Sequence, residues 1–431
     1  MQEPMSTGPG TTLEPELAAG TRTRERTASE ETPRELSALL SRCGALAVLY
    51  VDLAELGIVE DQFGAPAWHR IVERLEDAVR RCLGRAMREE DRIVTSLGEP
   101  DSLTVWLGRP RDDLEFYRQA AHALGETLDR YLAKHASQIV YPYAARPPRF
   151  SVGCGLALHN PATRPEKAFV SAVRRARDHA RLKARLAAIE AENELLTIIF
   201  AEQIQSVYQP LIEIASGRVF GFEALARGPW STPWVSPAQL FGVAETAGVT
   251  FELDCLCRKA ALRGAAGRLP AGAKLFLNTL PSAVHDPAFT GAELQRTLDG
   301  CGLQPHDLVF EISERETVTN FDILRRTCDH FRRIGIRIAL DDVGSGYASM
   351  AAAMDLEPDL IKIDMSLVRS SDADVARQAL IASLCALAGK LGAEVVAEGI
   401  ETEAELETMR RLGVHYGQGY LLGRGRPFDE S

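Results

Sequence analysis

From about Gln203 to the carboxyl terminus, short apolar runs alternate with amphipathic helical stretches, and nearly every run ends on a polar or charged residue. Val219-Phe-Gly-Phe222 precedes Glu223, Lys274-Leu-Phe-Leu277 precedes Asn278, and Leu308-Val-Phe310 precedes Glu311. Ile336-Arg-Ile-Ala-Leu340 leads to Asp341-Asp342, Leu360-Ile361 to Lys362, and Glu394-Val-Val-Ala397 to Glu398, with Gln418 following. The intervening periodicity predicts helices near Pro237–Ala247, Leu253–Ala266, Phe321–Ile334, Asp372–Leu391 and Glu403–Leu412. Residues 204–431 are therefore expected to form a (β/α)8-like TIM barrel, whose chemistry gathers at the carboxyl ends of its parallel strands.

The amino-terminal half reads differently. Residues 1–42 are rich in Thr, Glu, Pro, Gly and Arg, and such a segment buries too little apolar surface to offset its ordering entropy; it is expected to be a disordered tail. Residues 43–185 open with a strand-like run ending at Asp52 and continue with a helix over Trp68–Arg88 and a hairpin near Gly98–Leu107. A helix over Leu114–Lys134, a strand over Phe150–Leu158 and a helix from Pro165 complete an α/β sandwich. That last helix continues to about Gln205, with residues 186–203 as a linker. Along it Leu182, Leu186, Ile189, Asn193, Leu196 and Phe200 recur at four-three spacing. This is a short heptad seam in which Asn193 could set the register of a parallel homodimer; packing of the linker on its own domains would give the same pattern.

Composition narrows the function. The chain has 431 residues, 45% hydrophobic and 25% charged, which is ordinary globular material of two or three domains. A net charge of -11 disfavours nucleic-acid polymers and anionic membrane surfaces as partners, but not a small anion neutralised by a metal. The eight scattered cysteines show no zinc spacing and read as buried free thiols of a reducing compartment. Without a signal-like start or a spanning apolar run, the expectation is a soluble cytoplasmic protein.

Five carboxylates, an amide and a lysine at one rim suit oxygen-liganded Mg2+ or Mn2+, two ions per site, acting on a phosphodiester. Adjacent acids such as Asp341-Asp342 could lie close to both ions. Glu223, Asn278 and Glu311 would complete one shell, and Glu398 would serve the other or act as a base on water. Lys362 would supply a fixed positive charge. Any one of these acids alone could be a helix cap or a surface pair; seven polar residues at equivalent strand ends make coincidence improbable.

The string Glu223-Ala-Leu-Ala-Arg227 resembles the signature of the EAL phosphodiesterases, which cleave cyclic di-GMP to linear pGpG. The resemblance runs from Tyr208-Gln-Pro210 to Arg426-Pro427 and takes in Asn278, Glu311-Ile-Ser-Glu314, Asp341-Asp-Val-Gly-Ser-Gly346, Lys362-Ile-Asp364, Glu398-Gly-Ile-Glu401 and Gln418-Gly-Tyr420. It implies that Glu223, Asn278, Glu311 and Asp341 bind one metal, and that Asp341, Asp342 and Glu398 bind the second. Lys362 would lie near the nucleophilic water and Gln418 would orient water or substrate. Gln209, Arg227 and Leu225 would bind substrate, and Glu314 and Glu401 would support loops or ligands. One departure is Val343, where the family usually has Phe; altered regulation or a lower rate is expected from it.

Residues 43–185 resemble a degenerate GGDEF (diguanylate cyclase-like) domain through Asp52, Ser151-Val-Gly-Cys-Gly155 and Ala176–Lys183. In place of the glycine-rich turn stands Leu97-Gly-Glu-Pro-Asp101, so no cyclase activity is expected. Arg88-Glu-Glu-Asp91 falls at the offset of the family's inhibitory RxxD site, and a surface ion pair is the alternative. The leading expectation is a cyclic di-GMP phosphodiesterase with a regulatory or scaffold domain and a protein signalling partner; a non-catalytic cyclic di-GMP receptor is the alternative.

Overall fold

The computed structural model describes residues 31–95, 101–144, 148–286, 289, 291–313, 321–344 and 356–428. The chain divides into two compact units, Met1–Ala188 and Ile189–Ser431.

The first unit holds helix α1 (Glu31–Cys43), strand β1 (Ala45–Asp52), helices α2 (Gly57–Phe63) and α3 (Ala65–Leu83), strands β2 (Arg92–Thr95) and β3 (Ser102–Gly108), helix α4 (Ala121–Val140), strand β4 (Val152–Leu158) and the long helix α5 (Pro165–Phe200), which runs on into the second unit. The sheet order is β2-β3-β1-β4, with every neighbouring pair antiparallel. Ala45, Ala47, Leu49 and Val51 of β1 pack on Ile71, Leu75 and Leu128 of α3 and α4. Leu46, Val48 and Tyr50 meet the other layer, Leu36, Leu39 and Leu40 of α1 with Phe169, Ala172 and Ala176 of α5. Because β1 is covered on both faces, its sequence is one continuous apolar run. Gly153 and Gly155 let α5 lie directly on β4: a Cβ on Gly153 would stand 1.9 Å from the Ala176 carbonyl oxygen.

The sandwich matches the expected α/β architecture. The expected tail needs correction, because residues 31–42 are helical. Leu36, Leu39 and Leu40 have one-face helical spacing and are at most 4% exposed, so this segment does bury a core face. Residues 1–30 and 96–100, the latter holding most of the expected hairpin turn, lie outside the described residues.

The second unit is a closed eight-stranded barrel ringed by helices. Its strands are β5 (Gln205–Glu213), β6 (Val219–Arg227), β7 (Lys274–Asn278), β8 (Leu308–Ser313), β9 (Arg337–Val343), β10 (Leu360–Ile363), β11 (Glu394–Ala397) and β12 (Tyr416–Gly417). Around them lie α6 (Pro237–Ala247), α7 (Thr250–Ala265), α8 (Gly291–Cys301), α9 (Phe321–Arg333), α10 (Met365–Val368), α11 (Val375–Leu391) and α12 (Glu403–Arg411). The TIM-barrel expectation stands with one correction: β5 is antiparallel to both β6 and β12, whereas the other neighbouring pairs are parallel. Only five residues, 214–218, separate β5 from β6, which suffices for a hairpin but not for a parallel crossover.

Inside the barrel every strand contributes one residue to an apolar layer: Leu211, Phe220, Phe276, Val309, Ala339, Leu360, Val396 and Tyr416. This layer closes the barrel floor. Among the described residues no helix is long and apolar enough to cross a membrane.

Candidate metal centre

Strand side chains repeat with period two, so the next inward position above each floor residue lies two residues further toward the rim. In six strands that step gives Asn278, Glu311, Asp341, Lys362, Glu398 and Gln418. On the reversed strand β5 the same step runs backward from Leu211 to Gln209. Glu223 stands three residues beyond Phe220 because Phe220 is the extra residue of a bulge: Leu211 pairs with Gly221 while Ile212 pairs with Val219. An apolar plug thus carries a polar ring directly above it.

A second irregularity brings two aspartates to one place. Consecutive strand residues normally face opposite ways, yet carboxylate oxygens of Asp341, Asp342 and Glu398 all lie within 4.8 Å of one another. The register between β9 and β10 shifts here, Ile361 pairing with Leu340 but Ile363 with Val343. Asp342 takes φ of 60°, the left-handed region that non-glycine residues rarely adopt. Val343 then turns into the barrel wall and is a core residue, 1% exposed. The following residues 345–355, with Gly346 and Tyr347, and also Glu314, lie outside the described residues.

Lys362 sits at the centre of the ring and is fully buried. Its Nζ is 2.6 Å from Glu398 Oε1, 2.7 Å from Glu311 Oε1, 3.0 Å from Asp341 Oδ1 and 3.7 Å from Glu223 Oε2. One ammonium thus faces four carboxylates, a formal excess of three negative charges within the ring. Burial lowers the Lys362 pKa, but Asp341, Glu223, Glu311 and Glu398 outweigh it and hold the amine well above its usual value. Glu311 is pushed well above the carboxylate range by burial and by Glu223 and Asp341 beside it. Glu398 rises to about 8, again through burial first, with Asp341 and Glu223 adding to it against Lys362.

Glu223 behaves in the opposite way. Burial raises it, yet Lys362, Gln418 and Asn278 prevail and keep it below its usual value. Its Oε1 accepts from Asn278 Nδ2 at 3.1 Å and its Oε2 from Gln418 Nε2 at 2.6 Å. Gln418 Nε2 also reaches Gln209 Oε1 at 3.1 Å, and Gln209 Nε2 donates to the Gly423 carbonyl at 3.0 Å.

A divalent cation fits these residues. Both carboxylate oxygens of Glu311 and Oδ1 of Asp341 are buried without an aligned hydrogen-bond donor, although Lys362 is within ion-pairing distance. Orphaned buried anionic oxygens are rare because they are costly, and a cation satisfies them. An all-oxygen donor set suits Mg2+ or Mn2+.

Other expected residues fall around this centre. A cavity of about 390 Å3 borders Glu223, Asn278 and Glu311 and has Leu225, Phe241 and Leu280 in its wall. Arg227, half-buried at the end of β6, donates from Nη1 to the Ala226 carbonyl. Glu401 lies apart from the carboxylate ring and pairs with Arg369 at 2.5 Å, tying the segment after β11 to the end of α10.

Sequence reasoning missed Glu405. Its carboxylate accepts backbone N–H groups from Ser370 at 2.9 Å, Glu401 at 2.9 Å and Thr402 at 3.1 Å, and so clamps the turn that follows Glu398. The signal was present as Thr402-x-x-Glu405, a capping box opening α12. In the same turn Gly399 has φ of 70°, and a Cβ there would stand 2.4 Å from Cβ of Met365.

In the first unit, Arg88 and Asp91, the residues of the possible inhibitory-site remnant, lie in different surroundings. The Asp91 side chain is buried and accepts from Gly108 N at 2.8 Å and Arg88 N at 2.7 Å, and it pairs with Arg109 Nη1 at 3.2 Å. Arg109 in turn donates to the Gly108 and Ala86 carbonyls and stacks 4.8 Å from the Phe116 ring. Asp91 is a structural acid turned inward, while Arg88 is exposed.

Known proteins resemble the chain as follows. The family described as EAL domain matches residues 192–425. The bifunctional diguanylate cyclase/cyclic di-GMP phosphodiesterase MucR of Pseudomonas aeruginosa is 27% identical over 89% of this chain and 56% of its own. The cyclic di-GMP phosphodiesterase PdeF of Escherichia coli is 32% identical over 46% of this chain and 26% of its own. A solved structure of the PaMucR phosphodiesterase in complex with c-di-GMP covers 56% of this chain and 99% of that one, at 26% identity and a TM-score of 0.51. The chain spans 27%, 43% and 56% of the length of the first three curated relatives it matches.

Proposed function

Because the chain belongs to the EAL domain family, we propose that it hydrolyses the second messenger cyclic di-GMP to linear pGpG. The observation that carries this reading is the ring around Lys362, in which four carboxylates share one buried ammonium and formal negative charge exceeds positive. A non-catalytic receptor has no need of such a ring.

In this reading Glu223, Asn278, Glu311 and Asp341 would hold one Mg2+ or Mn2+, and Asp341, Asp342 and Glu398 a second. When bound, the ions would polarise the phosphodiester and make the attacking water more acidic. Lys362, kept charged by its neighbours, offsets negative charge that builds on the phosphate. Glu398 would take the proton of the water. Gln418 and Gln209 present amide groups at the same level and orient water and substrate. Arg227 offers a planar guanidinium for a phosphate oxygen pair, and Leu225 an apolar wall for a base.

The first unit serves here as a regulatory scaffold without cyclase activity. The chain works as a cytoplasmic homodimer and signals to a protein partner. The test incubates purified protein with cyclic di-GMP and Mg2+ or Mn2+ and follows pGpG by chromatography. Metal-dependent turnover is expected; tight binding with no turnover in either metal would replace hydrolysis with a receptor role.

A further inference from the structure

The sheet of the first unit ends at β4, which is hydrogen-bonded to β1 on one side and, among the described residues, to no strand on the other. An open edge of this kind presents unpaired backbone groups to any extended chain that meets it. Along an antiparallel strand, successive residues turn their backbone groups to opposite sides. The Ser151 carbonyl accepts from the Asp52 N–H of β1, so the N–H and C=O groups of Val152, Cys154 and Leu156 face outward.

Side chains of two neighbouring helices take those outward groups. From α5, Arg175 donates to the Leu156 carbonyl, His179 Nδ1 accepts the Cys154 N–H at 3.1 Å, and Lys183 Nζ donates to the Val152 carbonyl at 3.2 Å. From α4, Asp129 accepts the Val152 N–H at 2.8 Å. The three α5 residues are four apart, a rise of about 6 Å, and the strand residues they meet are two apart, about 6.6 Å. The two repeats keep step, with helix and strand running in opposite directions. Gly155 permits the close approach, since a Cβ there would stand 2.4 Å from the Ala172 carbonyl oxygen.

We infer that this ladder of side chains closes the edge of β4 in place of a further strand, excludes strand addition by a second copy of the chain, and opens when its middle rung, His179, takes up a proton. The inference stands apart from hydrolysis, since every residue of the ladder lies in the first unit.

The middle rung is the one whose bond depends on protonation. To accept an N–H, Nδ1 must carry no hydrogen. Histidine changes charge between about pH 5 and 8, and a proton on Nδ1 sets a donor against a donor. The surrounding acids are already engaged. Lys183 of α5 holds Glu126 and Asp129 of α4 at 2.9 and 3.6 Å, and Arg177 holds Asp178, beside His179 on the helix, at 3.4 Å. Arg181 turns to Asp52 of β1 at 3.9 Å, while Arg175 adds a second cation to the ladder itself. His122 of α4 brings another imidazole ring 5.9 Å away. The strand adds one titratable group, the Cys154 thiol, which burial pushes up to about 11 and so keeps neutral. An imidazolium here meets cations and no acid in want of a partner.

The test follows single amides by NMR in the full chain labelled with 15N-cysteine, whose signals include Cys154 in β4 and, as a control, Cys82 in α3. Each is identified by its loss in Cys154→Ala or Cys82→Ala. Protection of the Cys154 amide from solvent exchange, relative to the unstructured rate at the same pH, should fall between about pH 8 and about pH 5. In His179→Leu it should be roughly tenfold lower than native at the higher pH and should respond little to acid. In His179→Asn, whose amide oxygen can stand where Nδ1 stands but does not titrate, protection should stay high at both. Cys82 should keep its protection throughout. The variant Arg175→Ala/His179→Leu/Lys183→Ala strips α5 of the ladder and should form larger species than the native chain in sedimentation velocity as concentration rises. Unchanged Cys154 protection in His179→Leu, a native-like pH response in His179→Asn, an equal loss at Cys82, or a folded triple variant that sediments like the native chain would each overturn the inference. Should the triple variant not fold, the exchange measurements on the single variants decide.

Discussion

Two buried clusters, one around Arg109 in the first unit and one around Lys362 in the barrel, differ in the balance of their charges. In the first, Asp91 faces one cation, Arg109, and every polar contact described above is a hydrogen bond or an ion pair. In the barrel, Lys362 faces four carboxylates, and three of their oxygens have no aligned donor. A balanced, fully bonded cluster completes itself. An unbalanced one is costly to fold unless a further cation or substrate is part of its design.

The largest effect should come from unbalancing the barrel further. Lys362→Met leaves its carboxylates facing one another, and turnover of cyclic di-GMP should fall by about 10^2- to 10^3-fold or more, measured by pGpG formation. Glu223→Ala and Glu398→Ala should each abolish turnover; native-like rates in both would refute the site. The matching change in the first unit, Arg109→Met, strands Asp91 without a cation. It should cost about 3–5 kcal/mol in chemical denaturation, yet leave turnover per folded molecule unchanged.

Next in size is a pH effect peculiar to the barrel. Glu398 rises to about 8 and Glu311 lies well above its usual value, so the metal-free native state binds more protons than the unfolded chain between the ordinary carboxylate range and these raised values. Stability from these groups is therefore present at low pH and is lost as pH climbs through about 8. Without metal, the thermal midpoint should fall between pH 6 and pH 9, and the gain on adding Mn2+ should widen over the same range. A gain that shrinks as pH rises would contradict the charge assignment. The smallest effect should come from Glu405→Gln, which weakens the clamp on the turn after Glu398. It should cost about 1–2 kcal/mol and lower kcat more than it changes KM.

The polar ring was legible in the sequence because it follows local rules. Strand residues alternate, so an apolar floor residue followed two positions later by an acid, amide or lysine is visible without knowing which strands pair. What stayed hidden depended on pairing. The commitment of Asp91 to Arg109 joins residues eighteen positions apart across strands, and no spacing motif announces it. The reversal of β5 was detectable, since five residues with Gly217 at φ of 71° form a hairpin turn, but the run of alternating elements suggested uniform parallel order. Helix α1 was obscured by the composition of the tail around it, although its leucines carried the right period.

That reversal decides where the chain enters the barrel. In an all-parallel barrel the first strand starts at the floor end, remote from the rim that carries the chemistry. Here Gln205 pairs with Arg227, the last residue of β6, so the chain arrives at the rim itself. Phe200, the end of α5, precedes Gln209 by only nine residues, and Gln209 is joined through Gln418 to Glu223. The chain therefore enters the barrel at the edge that carries the polar ring.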